Sequence, residues 1–119
     1  MVIGGWLPGE GRRAGGVGAL LIGYHEGADL RFAGKVGTGF TDKMLTEIGD
    51  AMARLAASSS PFADKVPYRK AQFVEPHLVA EIEFTEWTDG GTLRHPSFKG
   101  FRDDKEASDV VREPAPGAR

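Results

Sequence analysis

Charged side chains of both signs converge near the end of the sequence, in the stretch FKGFRDDK (residues 98–105). Arg102 and Lys105 flank two aspartates there, and Asp104 lies between them in sequence. A guanidinium presents a planar fork of donors that matches phosphate oxygens, and fixed cations stabilise the charge that develops on a departing phosphoryl group. These residue types are therefore compatible with phosphate binding. The alternative is an ordinary solvated surface cluster.

Basic residues elsewhere form local patches rather than a global field. The formal net charge is −2, with 15 Lys and Arg against 17 Asp and Glu, so a nucleic-acid interpretation cannot rest on overall charge. One patch is Arg12 and Arg13 in the glycine-rich stretch GEGRRAGG. The other lies within residues 94–105 and contains Arg94 and Lys99 besides the cluster above. Each patch is equally compatible with solvated surface.

The remaining glycines, histidines and glutamates lack the spacing that a P-loop or a metal site requires. The glycine-rich stretch GKVGTGF (residues 34–40) does not have the order of a P-loop, and we interpret it as a tight strand-to-helix turn rather than an anion cradle. The histidines show no metal-ligand spacing, and there is no cysteine. Glu81, Glu83 and Glu86 lie on or near one strand, where alternation with apolar residues favours a solvent-exposed face over a cation site. The sequence therefore predicts no metal site in this chain.

Hydrophobic periodicity predicts a mostly β fold with one helix. Apolar or alternating runs predict five strands, at residues 2–6, 17–24, 30–36, 78–87 and 92–101, with a bulge or an edge at Pro96. A helix is expected after Thr41 as N-cap, since its apolar residues fall on one face. Five strands with a helix between the third and fourth are typical of a five-stranded OB-fold barrel. An SH3-like barrel or a split α+β sheet would give a similar order.

The length of 119 residues predicts one domain. We place it at residues 1–105 and expect residues 106–119 to form a flexible tail or linker. The absence of cysteine, of a signal peptide and of a run of about 20 apolar residues predicts a cytoplasmic protein without a membrane anchor.

Four stretches carry a resemblance to a known family: VIGGWLPGEGRR, GKVGTGF, SPF and VAEIEFTEWTDGGTLRHPSFKGFRDDK. With them the chain resembles the C-terminal OB-fold domain of bacterial ATP-dependent DNA ligases, especially DNA ligase D of non-homologous end joining. The family's R-x-D-K motif corresponds to Arg102, Asp104 and Lys105. The resemblance implies that Arg102 and Lys105 meet the β- and γ-phosphates of ATP and orient the leaving pyrophosphate, while Asp104 holds the basic side chains in place.

The resemblance also implies partners and cofactors. These are ATP, bound mainly by a nucleotidyltransferase domain in cis or in trans, Mg²⁺ in the full enzyme, and nicked double-stranded DNA at the nucleoid, with the protein a monomer. Basic residues would contact the DNA backbone without reading sequence, and we nominate five of them: Arg12, Arg13, Lys35, Arg94 and Lys99.

One departure from the family limits the expected activity. The nucleophilic lysine of the family lies in a K-x-D-G motif, which does not occur in this sequence. We therefore expect no complete enzyme, and interpret the chain as an excised domain, a truncated product or a separately encoded half that is inactive alone. The alternative function is a stand-alone OB-fold adaptor that binds DNA without chemistry. An RNA-capping-type OB domain shares the same motif.

Overall fold

The first three strands form an antiparallel meander in the computed structural model, which describes residues 1–11 and 15–112. β1 (Val2–Pro8) pairs with β2 (Val17–Glu26), and β2 pairs with β3 (Asp29–Val36). Gly27, in the tight turn between β2 and β3, has a φ of 62°, a left-handed conformation that glycine adopts without strain. All three strands were predicted, and β2 is buried over most of its length, as its continuous apolar run indicates.

The predicted helix is present as α1 (Asp42–Arg54). It begins after Thr41, whose Oγ1 accepts a hydrogen bond of 3.1 Å from the backbone N–H of Met44. One face buries Ile48, Ala51 and Met52 against the sheet. Within residues 1–11 and 15–112, no helix has the length and apolar character that crossing a membrane requires.

The connection after α1 contains two short strands that the sequence did not predict. β4 (Ala56–Ala57) pairs with β5 (Gln72–Val74), and β5 also pairs with β1. Between them, Phe62 is 7% exposed and packs edge-on against Phe32 at 5.3 Å. Strands of two and three residues are too short to show an alternating pattern.

Each of the two long strands predicted in the second half is interrupted. The first is divided into β6 (Val79–Glu83) and β7 (Glu86–Trp87), and the second into β8 (Leu93–Arg94) and β9 (Ser97–Arg102). β6 pairs with β9, whereas β7 and β8 form a separate two-stranded sheet. The second break falls where Pro96 cannot donate to a strand ladder, next to His95 with a φ of 54°.

β9 is held from two sides. Its neighbour β6 pairs with it from Val79 opposite Arg102 to Glu83 opposite Ser97. On the other side, the backbone N–H of Phe98 donates to the carbonyl of Thr38 at 3.0 Å, and Thr38 Oγ1 donates to the carbonyl of Pro96 at 3.2 Å. These bonds tie the start of β9 to the loop that precedes α1.

The mostly β class with one α-helix after the third strand is confirmed. The main sheet follows the order β3-β2-β1-β5-β4, and β6 joins it through the pairing of Val2 with Val79. This is an open sheet of seven strands among the described residues, so a closed five-stranded barrel is not confirmed. The largest fully buried side chains belong to one hydrophobic cluster: Phe98, Ile3, Leu20, Leu21, Ile22, Ile48, Met52, Val2, Val36 and Val74.

The domain boundary predicted after residue 105 leaves out residues that pack onto this core. A 3₁₀-helix spans Ala107–Asp109. After it, Val110 is 4% exposed, and its carbonyl accepts a hydrogen bond of 2.6 Å from the backbone N–H of His25. Val110 and Val111 therefore lie against β2, and residues 113–119 lie outside the described part of the chain.

Candidate functional site

The R-x-D-K motif begins at the end of β9, with Asp104 and Lys105 in the loop that follows. Phe98 anchors this strand, because its side chain is 1% exposed and packs against Phe40 with ring centroids 5.1 Å apart. Arg102 is the last residue of the strand and pairs with Val79 of β6. The strand therefore fixes the backbone from which the Arg102 side chain projects.

Asp104 orients the guanidinium of Arg102. Arg102 Nε donates to Oδ1 at 3.2 Å, and an Arg102 terminal nitrogen donates to Oδ2 at 3.1 Å, a two-point arrangement that restrains a planar group. The hydrogen bonds from Arg102 hold the pKa of Asp104 below its ordinary value, with the arginine charge acting in the same direction. Arg102 is 38% exposed and Asp104 66%, so the pair lies at the surface rather than in the interior.

Arg102 and Lys105 meet at one cavity of about 160 Å³. Its other walls come from the start of the chain, from β6 and from the segment after the motif: Met1, Val79, Ala80, Glu81, Ile82, Phe84, Val110 and Val111. Two cations thus border a small space that is partly open to solvent. This arrangement is able to take up an anionic group.

Three of the five basic residues nominated for DNA contact lie on described strands, each on a different one. Lys35 projects from β3 with its Nζ 5.1 Å from the centre of the Tyr68 ring. Arg94 on β8 lies 2.9 Å from a carboxylate oxygen of Glu86, and Lys99 on β9 lies 4.0 Å from one of Glu83. The side chains of Arg94 and Lys99 are about half exposed. Exposed ion pairs of this kind contribute little free energy, so another anion readily replaces the carboxylate. Arg12 and Arg13 lie outside the described residues.

The sequence did not predict two sets of contacts, one beside Lys35 and one beside Arg102. Tyr68 supports Lys35 from a loop 33 positions away, and no local pattern connects the two residues. Val110 and Val111 form part of the wall beside Arg102, and here the sequence did hold a signal, since this apolar pair stands within a charged stretch.

Residues 13–105 match the family model described as the ATP dependent DNA ligase C terminal region. The chain belongs to this family. The ligase match ends at Lys105, the last residue of the R-x-D-K motif. The predicted resemblance is therefore confirmed.

Two curated relatives support membership of the same ligase family. The multifunctional non-homologous end joining DNA repair protein LigD of Mycobacterium tuberculosis is 47% identical over 116 residues, which cover 95% of this chain and 15% of the relative. The LigD protein of Pseudomonas aeruginosa is 40% identical over 103 residues, covering 82% of this chain and 12% of the relative. The chain thus spans a small part of these curated relatives.

Solved structures place the fold among ligase domains. The crystal structure of the ligase domain of M. tuberculosis LigD superposes with a TM-score of 0.88 at 44% identity, covering 94% of this chain and 37% of that one. A mycobacterial DNA ligase D complexed with ATP and MES gives a TM-score of 0.81 at 43% identity, covering 94% and 36%. The chain therefore has the fold of a ligase C-terminal OB domain.

Proposed function

We propose that this chain is the phosphate-handling OB module of a LigD-type ATP-dependent DNA ligase. Arg102 and Lys105 act on the β- and γ-phosphates of an ATP that a nucleotidyltransferase domain holds, in cis or in trans. One observation carries the proposal: the two cations line a single surface cavity while Asp104 restrains the guanidinium at two points. The module works as a monomer in the cytoplasm, at the nucleoid.

The proposed chemistry is the first step of ligation, in which a lysine of the partner domain becomes adenylylated. The lysine nitrogen attacks the α-phosphorus, the bond to the β-phosphate oxygen breaks, and pyrophosphate leaves with the negative charge of that bond. Fixed cations lower the barrier by stabilising this charge as it develops. A guanidinium carries five N–H donors, so restraint of one edge by Asp104 is compatible with phosphate binding by the group.

Mg²⁺ belongs to the proposed complex through the nucleotide rather than through this chain. Within residues 1–11 and 15–112, no three His, Asp or Glu side chains lie close enough together to hold a metal ion. The residues present therefore do not fit a resident metal site. In the full enzyme we expect the ion to be bound with the phosphates of ATP.

We propose that the same module contacts nicked duplex DNA after adenylylation. Lys35, Arg94 and Lys99 are exposed cations on three different strands, and two of them are paired with exposed carboxylates. Phosphate oxygens replace these carboxylates at low cost, because exposed ion pairs are worth only about 0–1 kcal/mol. Arg12 and Arg13 belong to the same proposal on sequence grounds alone. Contacts of this kind position the duplex without reading its sequence.

Transfer of labelled AMP tests the catalytic part of the proposal. The chain incubated alone with α-labelled ATP and Mg²⁺ is expected to acquire no label, because it contains no K-x-D-G lysine. Addition of the chain to a separately produced LigD nucleotidyltransferase domain is expected to raise the label on that domain. Covalent AMP on this polypeptide, or no stimulation of the partner, contradicts the proposal. The second result, together with DNA binding, would favour the adaptor function.

Salt dependence tests the DNA contacts. The affinity for a nicked duplex is expected to be weak, independent of sequence, and to fall as salt rises, with a log–log slope of about −0.9 per phosphate contact. Lys35→Ala is expected to reduce the magnitude of that slope by about 1. Arg54→Ala, at the C-terminal end of α1, removes an equal charge and serves as control. An unchanged slope in Lys35→Ala excludes this residue from the interface.

A further inference from the structure

The segment after the motif is anchored twice on the rest of the domain; we refer to residues 106–112 as the strap. Its first anchor lies on β2. Val110 is 4% exposed, its carbonyl accepts the 2.6 Å hydrogen bond from His25, and Val111 forms a parallel bridge with His25. Burial and backbone pairing together fix Val110 and Val111 on the core.

The second anchor is an aromatic cluster. The guanidinium carbon of Arg112 lies 4.4 Å from the centre of the Trp87 ring. Trp87 is itself packed edge-on against Tyr24 at 5.4 Å and against Phe84 at 5.7 Å. A cation over the face of an indole is attracted by the ring quadrupole. The strap therefore ends on a surface that neighbouring elements hold in place.

Asp104 and Lys105 consequently lie in a short loop with both ends fixed. The loop leaves the sheet at Arg102, which is paired with Val79, and returns to it at Val110. Val110 and Val111 also line the cavity that Arg102 and Lys105 border. Fixing both ends of a short segment removes conformational freedom that a ligand would otherwise have to remove on binding.

We propose that the strap is a positioning element for the R-x-D-K residues, with Val110 and Arg112 as its anchors. The inference rests on the proposed function, and it extends that function to residues beyond the family match, which ends at Lys105. By holding the loop on the sheet, the strap keeps Asp104 against Arg102 and keeps Lys105 at the cavity. Arg112 is not among the residues that line the cavity, whereas Val110 forms part of its wall.

The first test is made on the domain alone by carboxyl NMR titration. In the wild type, the pKa of Asp104 is expected below 3.8, so its pair with Arg102 persists above that pKa and is lost as the pH falls through it. Arg112→Gln is expected to raise the Asp104 pKa towards 3.8, because a mobile loop forms the pair less often. Arg112→Lys keeps a cation over Trp87 and is expected to restore the low pKa. Amide spectra at each pH confirm that the fold persists.

The second test measures stimulation of adenylylation in the mixture with the nucleotidyltransferase domain. Arg112→Gln is expected to lower it about two- to fivefold, in line with an exposed cation–π interaction. Val110→Ala is expected to lower it as well. The control is Val36→Ala, which removes the same two methyl groups from a fully buried valine on β3. Compared at a temperature where all variants are folded, this control is expected to retain wild-type stimulation and the wild-type Asp104 pKa.

The two tests separate this inference from the proposed function. If Arg102→Ala abolishes stimulation while Arg112→Gln changes neither the Asp104 pKa nor the stimulation, the strap inference is wrong and the proposed function stands. A change in only one of the two measurements also overturns the inference. If Arg102→Ala leaves stimulation intact, the proposed function fails, and with it the catalytic role of the strap. Equal losses in Val110→Ala and Val36→Ala indicate general destabilisation and reject positioning.

Discussion

Replacement of Arg102 by alanine is expected to lower the stimulation of adenylylation about 100-fold or more. Removal of one preorganised donor to a developing oxyanion costs about 10²–10³ in rate, and the loss of an arginine at a transferring phosphoryl group costs about as much or more. The variant also removes the two hydrogen bonds that Arg102 donates to Asp104, and so leaves that carboxylate without its guanidinium partner beside the phosphate path. The measurement is the initial rate of label transfer to the nucleotidyltransferase domain at saturating ATP.

Lys105→Ala and two matched controls complete this experiment. Lys105→Ala is expected to reduce the stimulation in the same direction, since Lys105 lines the same cavity. Arg54→Ala and Lys43→Ala remove the same side chains from exposed positions of α1 and are expected to stimulate as the wild type does. Arg102→Lys retains the charge but not the planar fork, so it is expected to recover only part of the loss. Wild-type rates in both Arg102→Ala and Lys105→Ala would show that the motif has no role.

Phe98→Ala is expected to lower the free energy of unfolding by about 3–5 kcal/mol, the usual range for a buried phenylalanine. Phe98 is 1% exposed, contacts Phe40, and lies at the point where β9 is bonded to the loop before α1. A single domain is stable by about 5–15 kcal/mol, so this loss brings the variant close to the limit of folding. Urea denaturation followed by tryptophan fluorescence measures the change.

The control for this prediction lies three residues further along the same strand. Phe101 is 39% exposed and touches Phe98 edge-on, with ring centroids 5.6 Å apart. Phe101→Ala removes the same side chain from a position that buries much less of it, so its effect on stability is expected to be clearly smaller. Equal losses in the two variants would show that β9 is not anchored through Phe98.

The sequence predicted the elements in which a hydrophobic pattern continues without interruption over many residues. β2 has a continuous apolar run, and α1 combines an N-cap at Thr41 with an apolar face, so both are specified by residues close together in the chain. The interruption at Pro96 was also predictable, because proline lacks the donor that a ladder needs. Local chemistry was sufficient for these elements.

The elements that were missed depend on contacts between distant residues. β4 and β5 contain two and three residues, and they exist because β5 pairs with β1, about 67 positions earlier in the chain. The break between β6 and β7 has no proline or glycine to indicate it. The docking of Val110 depends on a hydrogen bond from His25. Patterns within a short window of sequence carry no information on such pairings.

The structure brings the three residues nominated for phosphate chemistry together, but the sequence did not predict how they are arranged. The R-x-D-K spacing placed Arg102 and Lys105 together, and the resemblance gave Asp104 the role of a holder. The spacing alone could not show that Asp104 binds Arg102 at two points, nor that Val110 forms a wall beside both cations. The carboxylate partners of Arg94 and Lys99 likewise became visible only once the strands were paired.

The double attachment of β9 has a consequence for how a two-stage ligase would operate. Since this strand is bonded to β6 along its length and to the loop before α1 at its start, the backbone of Arg102 at its end has little freedom of its own. Under the proposed function, delivery to the nucleotide and withdrawal towards DNA must then occur as a rotation of the whole body. The hinge that sets the timing of catalysis would lie in the joint between this module and its neighbour.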